Sequence, residues 1–304
     1  MIYKGIGSNT RIDRHNMRMS KEALESAADQ INSSGSVPSV GVEHDITIMP
    51  IGKVISARLI SADDGEYELE ITQDIFEECN KITFNDGQVF MECKSTIDKR
   101  PFTEELIDNN NTHFSYDRVN FSSLEELNEF LSSINQEYNV DYDIICRKSL
   151  IPDPEIIITI SESILIFLGG KKLLGQVSNN IAKDIGDFYN FARNAMIKYA
   201  KYAIPKNRPI TYVFRLVATP NIELVAIGQD VNLIMKSIEE NELKNILKRV
   251  KDMEKKFKIN RIQFLLDQTG EWEFNFLLTN EGTVIGTEKS YSRSARKMEL
   301  MRET

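Results

Sequence analysis

The chain has 304 residues, 41% of them hydrophobic and 27% charged, a balance that excludes the disordered and fibrous classes. At about 100–200 residues per domain, the length predicts two domains, each able to bury its own core. The net charge of −9 is uneven: residues 1–150 hold 14 Lys and Arg against 27 Asp and Glu, and the remainder 23 against 19. The halves differ in sign, so two modules with different surface partners are expected.

The three cysteines, Cys79, Cys93 and Cys146, are odd in number and lack metal-ligand spacing. Neither a disulfide framework nor a zinc knuckle is indicated, and a reducing compartment is expected. The N-terminus lacks the apolar run of a secretory signal, and no stretch reaches the ~20 apolar residues of a membrane span. A soluble, cytoplasmic protein is the expectation.

In chain order, Met1 to Thr10 reads as a short strand and turn. Ser20 is a good N-cap for a helix in which Leu24, Ala27, Ala28 and Ile31 share one face. Short β runs follow at 40–42, 52–60 and 67–71, with Asp63-Asp64-Gly65 as a hairpin turn. Residues 74–80 suggest a helical turn, 88–93 a strand and Asn109-Asn110-Asn111 an exposed loop. Leu124, Leu127, Leu131 and Ile134 keep helical spacing, and 142–146 reads as a strand. The two prolines of Ile151-Pro152-Asp153-Pro154 favour an extended link, which places a boundary between an acidic domain, 1–150, and a basic one, 155–304. Residues 155–168 form a β-branched apolar run, read as a buried strand or a strand and then a helix start. Beyond it come a long helix over 171–202, a strand pair at 209–218 and 222–228, a helix or helical pair over 231–257, strands at 261–266 and 272–278, and a polar tail from Thr287.

The most informative segment runs from Val37 to Val54, with Glu43-His44-Asp45 at the end of a predicted strand and Pro50-Ile51-Gly52-Lys53-Val54 opening the next. It resembles the prohead (capsid maturation) serine proteases of tailed phages, and the resemblance extends over roughly Gly5 to Phe102, a third of the chain. The likeness implies a protease-like fold with His44 as general base and, by position, Ser95 as nucleophile. The third member stays open among His113, Asp108 and Asp117. Such a site needs an imidazole within hydrogen-bond reach of a hydroxyl and a group that orients the imidazole. Ser95-Thr96-Ile97-Asp98 departs from the family's usual serine followed by small residues and an aromatic. No P-loop, nucleophile elbow or zinc-protease motif occurs, and neither a cofactor nor a metal is expected.

In the basic half, Lys171, Lys172, Lys198 and Lys201 are interleaved with aromatics, and Lys248, Lys251 and Lys255 belong to a second cluster with helical spacing. Such residues either line a phosphate-binding face or solvate the outer faces of packed helices. The apolar run before Lys171-Lys172 also fits a membrane surface, and opposite charges on one chain fit self-association.

The expected architecture is α+β, with a β-rich prohead-protease-like N-terminal domain and a C-terminal mixed sheet flanked by long helices. The expected function is that of an intracellular binding or regulatory protein of phage or antiphage-defence context. Its protease-like domain would be non-catalytic, and its basic domain would contact nucleic acid. The alternative is an active serine endopeptidase using His44 and Ser95.

Overall fold

In the computed structural model the described residues are 1–13, 17–77, 79–103, 112–138, 140–145, 153–161, 164–165 and 178–303. Helices and strands are both abundant, which makes the protein α+β. The chain divides into two units: residues 1–105, 258–260 and 275–304 form the first, and 106–257 with 261–274 the second. This division differs from the expected one at 152–154. Strand pairing reaches across the expected boundary, since β7 (His113–Asp117) is antiparallel to β9 (Glu155–Ile160). At the other end, β13 (Trp272–Thr279) leads in sequence to β14 (Thr283–Gly286), which returns to the first unit by pairing with β6 (Val89–Lys94).

In the first unit, β1 (Ile2–Asn9), β2 (Ser39–Val40), β3 (Gly52–Ser61) and β4 (Tyr67–Ile75) form an antiparallel sheet in the order β1-β4-β3-β2. Helix α1 (Lys21–Ser33) starts where Ser20 accepts the Ala23 amide at 3.1 Å, as the capping pattern predicts. Its Leu24 and Ala28 pack on Ala57 and Leu69 of the sheet. Asn32, at the far end, exchanges two hydrogen bonds with the backbone of Ala57, at 2.8 and 3.0 Å. Gly65 takes φ +82° in the β3–β4 turn, a conformation that glycine adopts at no steric cost.

Strand β5 (Cys79–Thr83) pairs with β6, and β6 with β14, all antiparallel. Residues 74–75 therefore end β4 and 79–80 open β5, where a helical turn was expected. Cys79 and Cys93 lie directly opposite in the β5–β6 register and form a disulfide. This corrects the reading that no disulfide is indicated: the two cysteines stand fourteen positions apart in sequence, and only the hairpin brings them together. The tail from Thr287 is helix α6 (Glu288–Glu303). Its polar residues are not all solvated, because Ser290 is buried and its hydroxyl bonds the carbonyl and side-chain oxygens of Asn275 at 2.8 and 2.6 Å.

The second unit is a mixed sheet in the order β12-β11-β10-β9-β7-β8, with β8 at Asp141–Ile145, β10 at Ile210–Leu216, β11 at Asn221–Gly228 and β12 at Ile259–Leu266, of which 261–266 belong to this unit. Its helices are α2 (Leu124–Asn135), α3 (Ser178–Tyr202), α4 (Val231–Ser237) and α5 (Glu240–Glu254). The register aligns Phe114, Ile158, Phe214, Leu224 and Phe264 in one cross-strand row. Phe114 meets Phe130 of α2 and Phe191 of α3, and the guanidinium of Arg249 of α5 lies 4.8 Å from the Phe264 ring centre. The core of this unit therefore sits between that face of the sheet and its helices. The buried Tyr199 hydroxyl donates to the Glu155 carbonyl at 2.7 Å and to the Asn120 side chain at 3.2 Å, closing the polar end of the same core.

Candidate functional site

The segment that resembles a protease motif turns out to be built for close packing. Strand β2 ends at Val40, so His44 is not on a strand; it is exposed in a turn where Glu43 and His44 have φ of +49° and +59°. Asp45 braces that turn by accepting the Thr47 amide at 3.0 Å and its hydroxyl at 2.6 Å. Ile48 and Met49 then enter the core. At Gly52 a Cβ would lie 2.4 Å from the Asp74 carbonyl oxygen, so only glycine lets β3 approach β4 there. The next residue, Lys53, is fully buried, and its ammonium donates to the carbonyls of Asp98 and Arg100 beside the Phe102 ring. Burial pulls its pKa below the ordinary value of 10.5.

Ser95 lies one residue past β6, in the segment that Lys53 binds. Its hydroxyl donates to the Asp74 carboxylate and accepts the amides of Ile97 and Asp98 at 3.2 and 2.8 Å. A hydroxyl has one proton and two lone pairs, and all three are used here. Asp98 in turn grips the guanidinium of Arg100, which also donates to the carbonyls of Ile31 and Ile55 at 2.9 and 2.7 Å. Asp98 has a lowered pKa: its hydrogen bonds from Arg100 outweigh the burial that would raise it. The cluster fastens segment 95–102 to the sheet and to α1. In this structure the partner of the Ser95 proton is a carboxylate and not an imidazole.

Of the candidates for a third member, His113 begins β7 in the second unit, 3.6 Å from the Asp143 carboxylate. Asp117 is the N-cap of a short 3-10 turn, accepting the Val119 amide at 3.0 Å. Asp108 lies outside the described residues.

His113 also belongs to a feature that the sequence reading did not find. On the sheet face opposite the apolar row, the register aligns His113, Thr159, Arg215, Glu223 and Gln263 across five neighbouring strands. Glu223 is buried; Arg215 and Arg261 approach one of its oxygens at 3.5 and 3.6 Å, and Gln263 donates to the other at 3.1 Å. Two guanidiniums and an amide replace the water a carboxylate loses on burial. The available signal was a charged or amide side chain (Arg215, Glu223, Arg261 and Gln263) set among the apolar residues of strands Ile210–Leu216, Asn221–Gly228 and Ile259–Leu266.

The basic residues separate into two kinds. Lys198 donates to the Ser133 carbonyl at 2.7 Å and pairs with Glu137 at 2.8 Å, joining α3 to α2. Lys201 lies over the Tyr202 ring and bonds its hydroxyl at 2.8 Å. Both are occupied within the fold; Lys171, Lys172 and residues 166–168 lie outside the described residues, while Ile164 and Leu165 are buried. On α5, by contrast, Leu243, Ile246 and Val250 are buried while Lys244, Lys248 and Lys251 follow one another at helical spacing on its exposed side, and the exposed Lys255 continues them at the C-cap. Lys244 pairs with Glu240, and Lys255 with Asp252 at 2.6 Å. Lys248 and Lys251 form no ion pair among the described residues.

No group of His, Cys, Asp and Glu among the described residues could hold a metal ion, and no described helix is long and apolar enough to cross a membrane. No protein-family model, curated protein or solved structure matches the chain.

Proposed function

We propose that the protein acts by binding, and that α5 of the second unit contacts a nucleic-acid backbone. The observation that carries this reading is the stripe Lys244, Lys248, Lys251 and Lys255, exposed along a helix whose other side is anchored in the core. At about 1.5 Å rise per residue the stripe extends ~16 Å, enough to meet several successive phosphates. Contacts of this kind neutralise phosphates without reading bases, so the binding is sequence-independent and salt-sensitive. The first unit, with its likeness to prohead proteases, is then a non-catalytic recognition module; the engagement of the Ser95 hydroxyl with Asp74 supports that assignment.

Fluorescence anisotropy with a labelled DNA duplex tests the reading. The expected dissociation constant is on the order of 10⁻⁴ to 10⁻⁶ M near physiological salt and weakens steeply as salt is raised. Binding indifferent to salt, or unchanged in Lys248→Glu/Lys251→Glu/Lys255→Glu, would overturn it. A fluorophosphonate probe examines the endopeptidase alternative: labelling of the wild type that is lost in both Ser95→Ala and His44→Ala would establish a serine nucleophile and defeat the non-catalytic assignment.

A further inference from the structure

Cys79 opens β5 and Cys93 lies near the end of β6, and the antiparallel register sets them face to face with Cα atoms 4.3 Å apart, joined as a disulfide. The two sulfurs differ in surroundings. Cys93 is buried among Met49, Phe76, Phe102, Phe276, Leu278 and Val284, whereas Cys79 packs against the edge of that cluster and is half-buried. Among the described residues β5 pairs with β6 alone and is the edge strand of its sheet. We propose that this disulfide is a reversible redox staple that decides whether β5 stays locked to the first unit.

The asymmetry assigns the direction of the chemistry. A thiolate of a small dithiol attacks the sulfur of Cys79, the less buried of the two residues; the S–S bond breaks, its electron pair leaves with Cys93, and Cys93 takes a proton as it becomes a buried thiol. The second thiol of the dithiol then displaces Cys79 from the mixed disulfide. The products are two protein thiols and one oxidised cyclic disulfide, a two-electron exchange. Cutting the link restores to β5 the chain entropy that the cross-link removed, and an edge strand with one partner is where that freedom is taken up first.

The full-length protein equilibrated in oxidised or reduced dithiothreitol tests this, with thiols counted by maleimide mass shift in denaturant and the bridge located by peptide mapping. Of the three cysteines, all should react after reduction and one, Cys146, after oxidation. Hydrogen exchange over residues 79–83 should accelerate on reduction by about tenfold or more, with β10 unchanged as internal reference. Cys79→Ser/Cys93→Ser should exchange like the reduced wild type in both buffers, and Cys146→Ser should keep the full response. Three reactive thiols in both buffers, a bridge that contains Cys146, or equal exchange over 79–83 in the two states would each overturn the proposal. None of these outcomes depends on nucleic-acid binding.

Discussion

The Ser95 hydroxyl donates its proton to the Asp74 carboxylate, joining the residue that follows β6 to the end of β4. Both residues are buried. The bond lies beside Lys53, which occupies the position opposite Asp74 in the β3–β4 register. A position that resembles a nucleophile is therefore part of the scaffold. Ser95→Ala should lower unfolding free energy by about 1–3 kcal/mol, because Asp74 loses a donor and two amides lose their acceptor. Urea denaturation monitored by circular dichroism measures it; a variant as stable as the wild type would remove the scaffold role.

Lys53 carries a pH signature. Burial lowers its pKa in the folded chain, so on the alkaline side the unfolded lysine keeps its proton after the folded one has released it. Between the folded pKa and about 10.5 the unfolded state binds more protons, and stability must rise with pH through that window. The difference in unfolding free energy between wild type and Lys53→Met, measured from about pH 8 to pH 10.5, should therefore move in favour of the wild type as pH increases. A difference that is flat or falls would show that the ammonium is not penalised in the fold.

Glu223 is the common partner of Arg215, Arg261 and Gln263. Removing one member of a buried charge cluster is costlier than the cluster's net contribution, because the remaining charges stay desolvated. Glu223→Ala should destabilise by roughly 3–5 kcal/mol, and Gln263→Leu by about 1.5–3 kcal/mol, one hydrogen bond to a charged group. Thermal unfolding of both variants checks the order; Gln263→Leu exceeding Glu223→Ala would contradict it.

For the α5 stripe, the salt slope is more diagnostic than the affinity. Each lysine that contacts a phosphate contributes about 0.9 to the slope of log K against log salt. Lys248→Gln and Lys251→Gln should each flatten the slope by about 1. Lys198→Gln, whose wild-type side chain is held by Ser133 and Glu137, should leave the slope unchanged while lowering stability. Equal slopes for all three variants would remove α5 from the interface.

Local order was legible in the residues themselves. The helix capped by Ser20, the strands expected at 52–60 and 67–71 and the pair expected at 209–218 and 222–228 follow from apolar periodicity and turn residues, although β4 runs on to Ile75, where a helical turn was expected. These signals act over a few residues and need no partner. Strand β7 was missed because His113-Phe114-Ser115-Tyr116-Asp117 offers only two apolar residues, Phe114 and Tyr116, whose burial depends on α2 and α3. Helix α6 was missed because its buried face is partly serine, satisfied by Asn275.

The sequence by itself determined the class of the fold, most of its elements and the uneven distribution of charge, since composition and periodicity are properties of the chain alone. Only the tertiary structure decided what the polar residues do. Gly52 and Lys53 are placed by a neighbouring strand and a distant loop, Ser95 by Asp74, and Glu223 by residues on two other strands. A buried polar group must find its partner wherever the fold supplies one, and strand register, which sequence spacing does not encode, sets that partner.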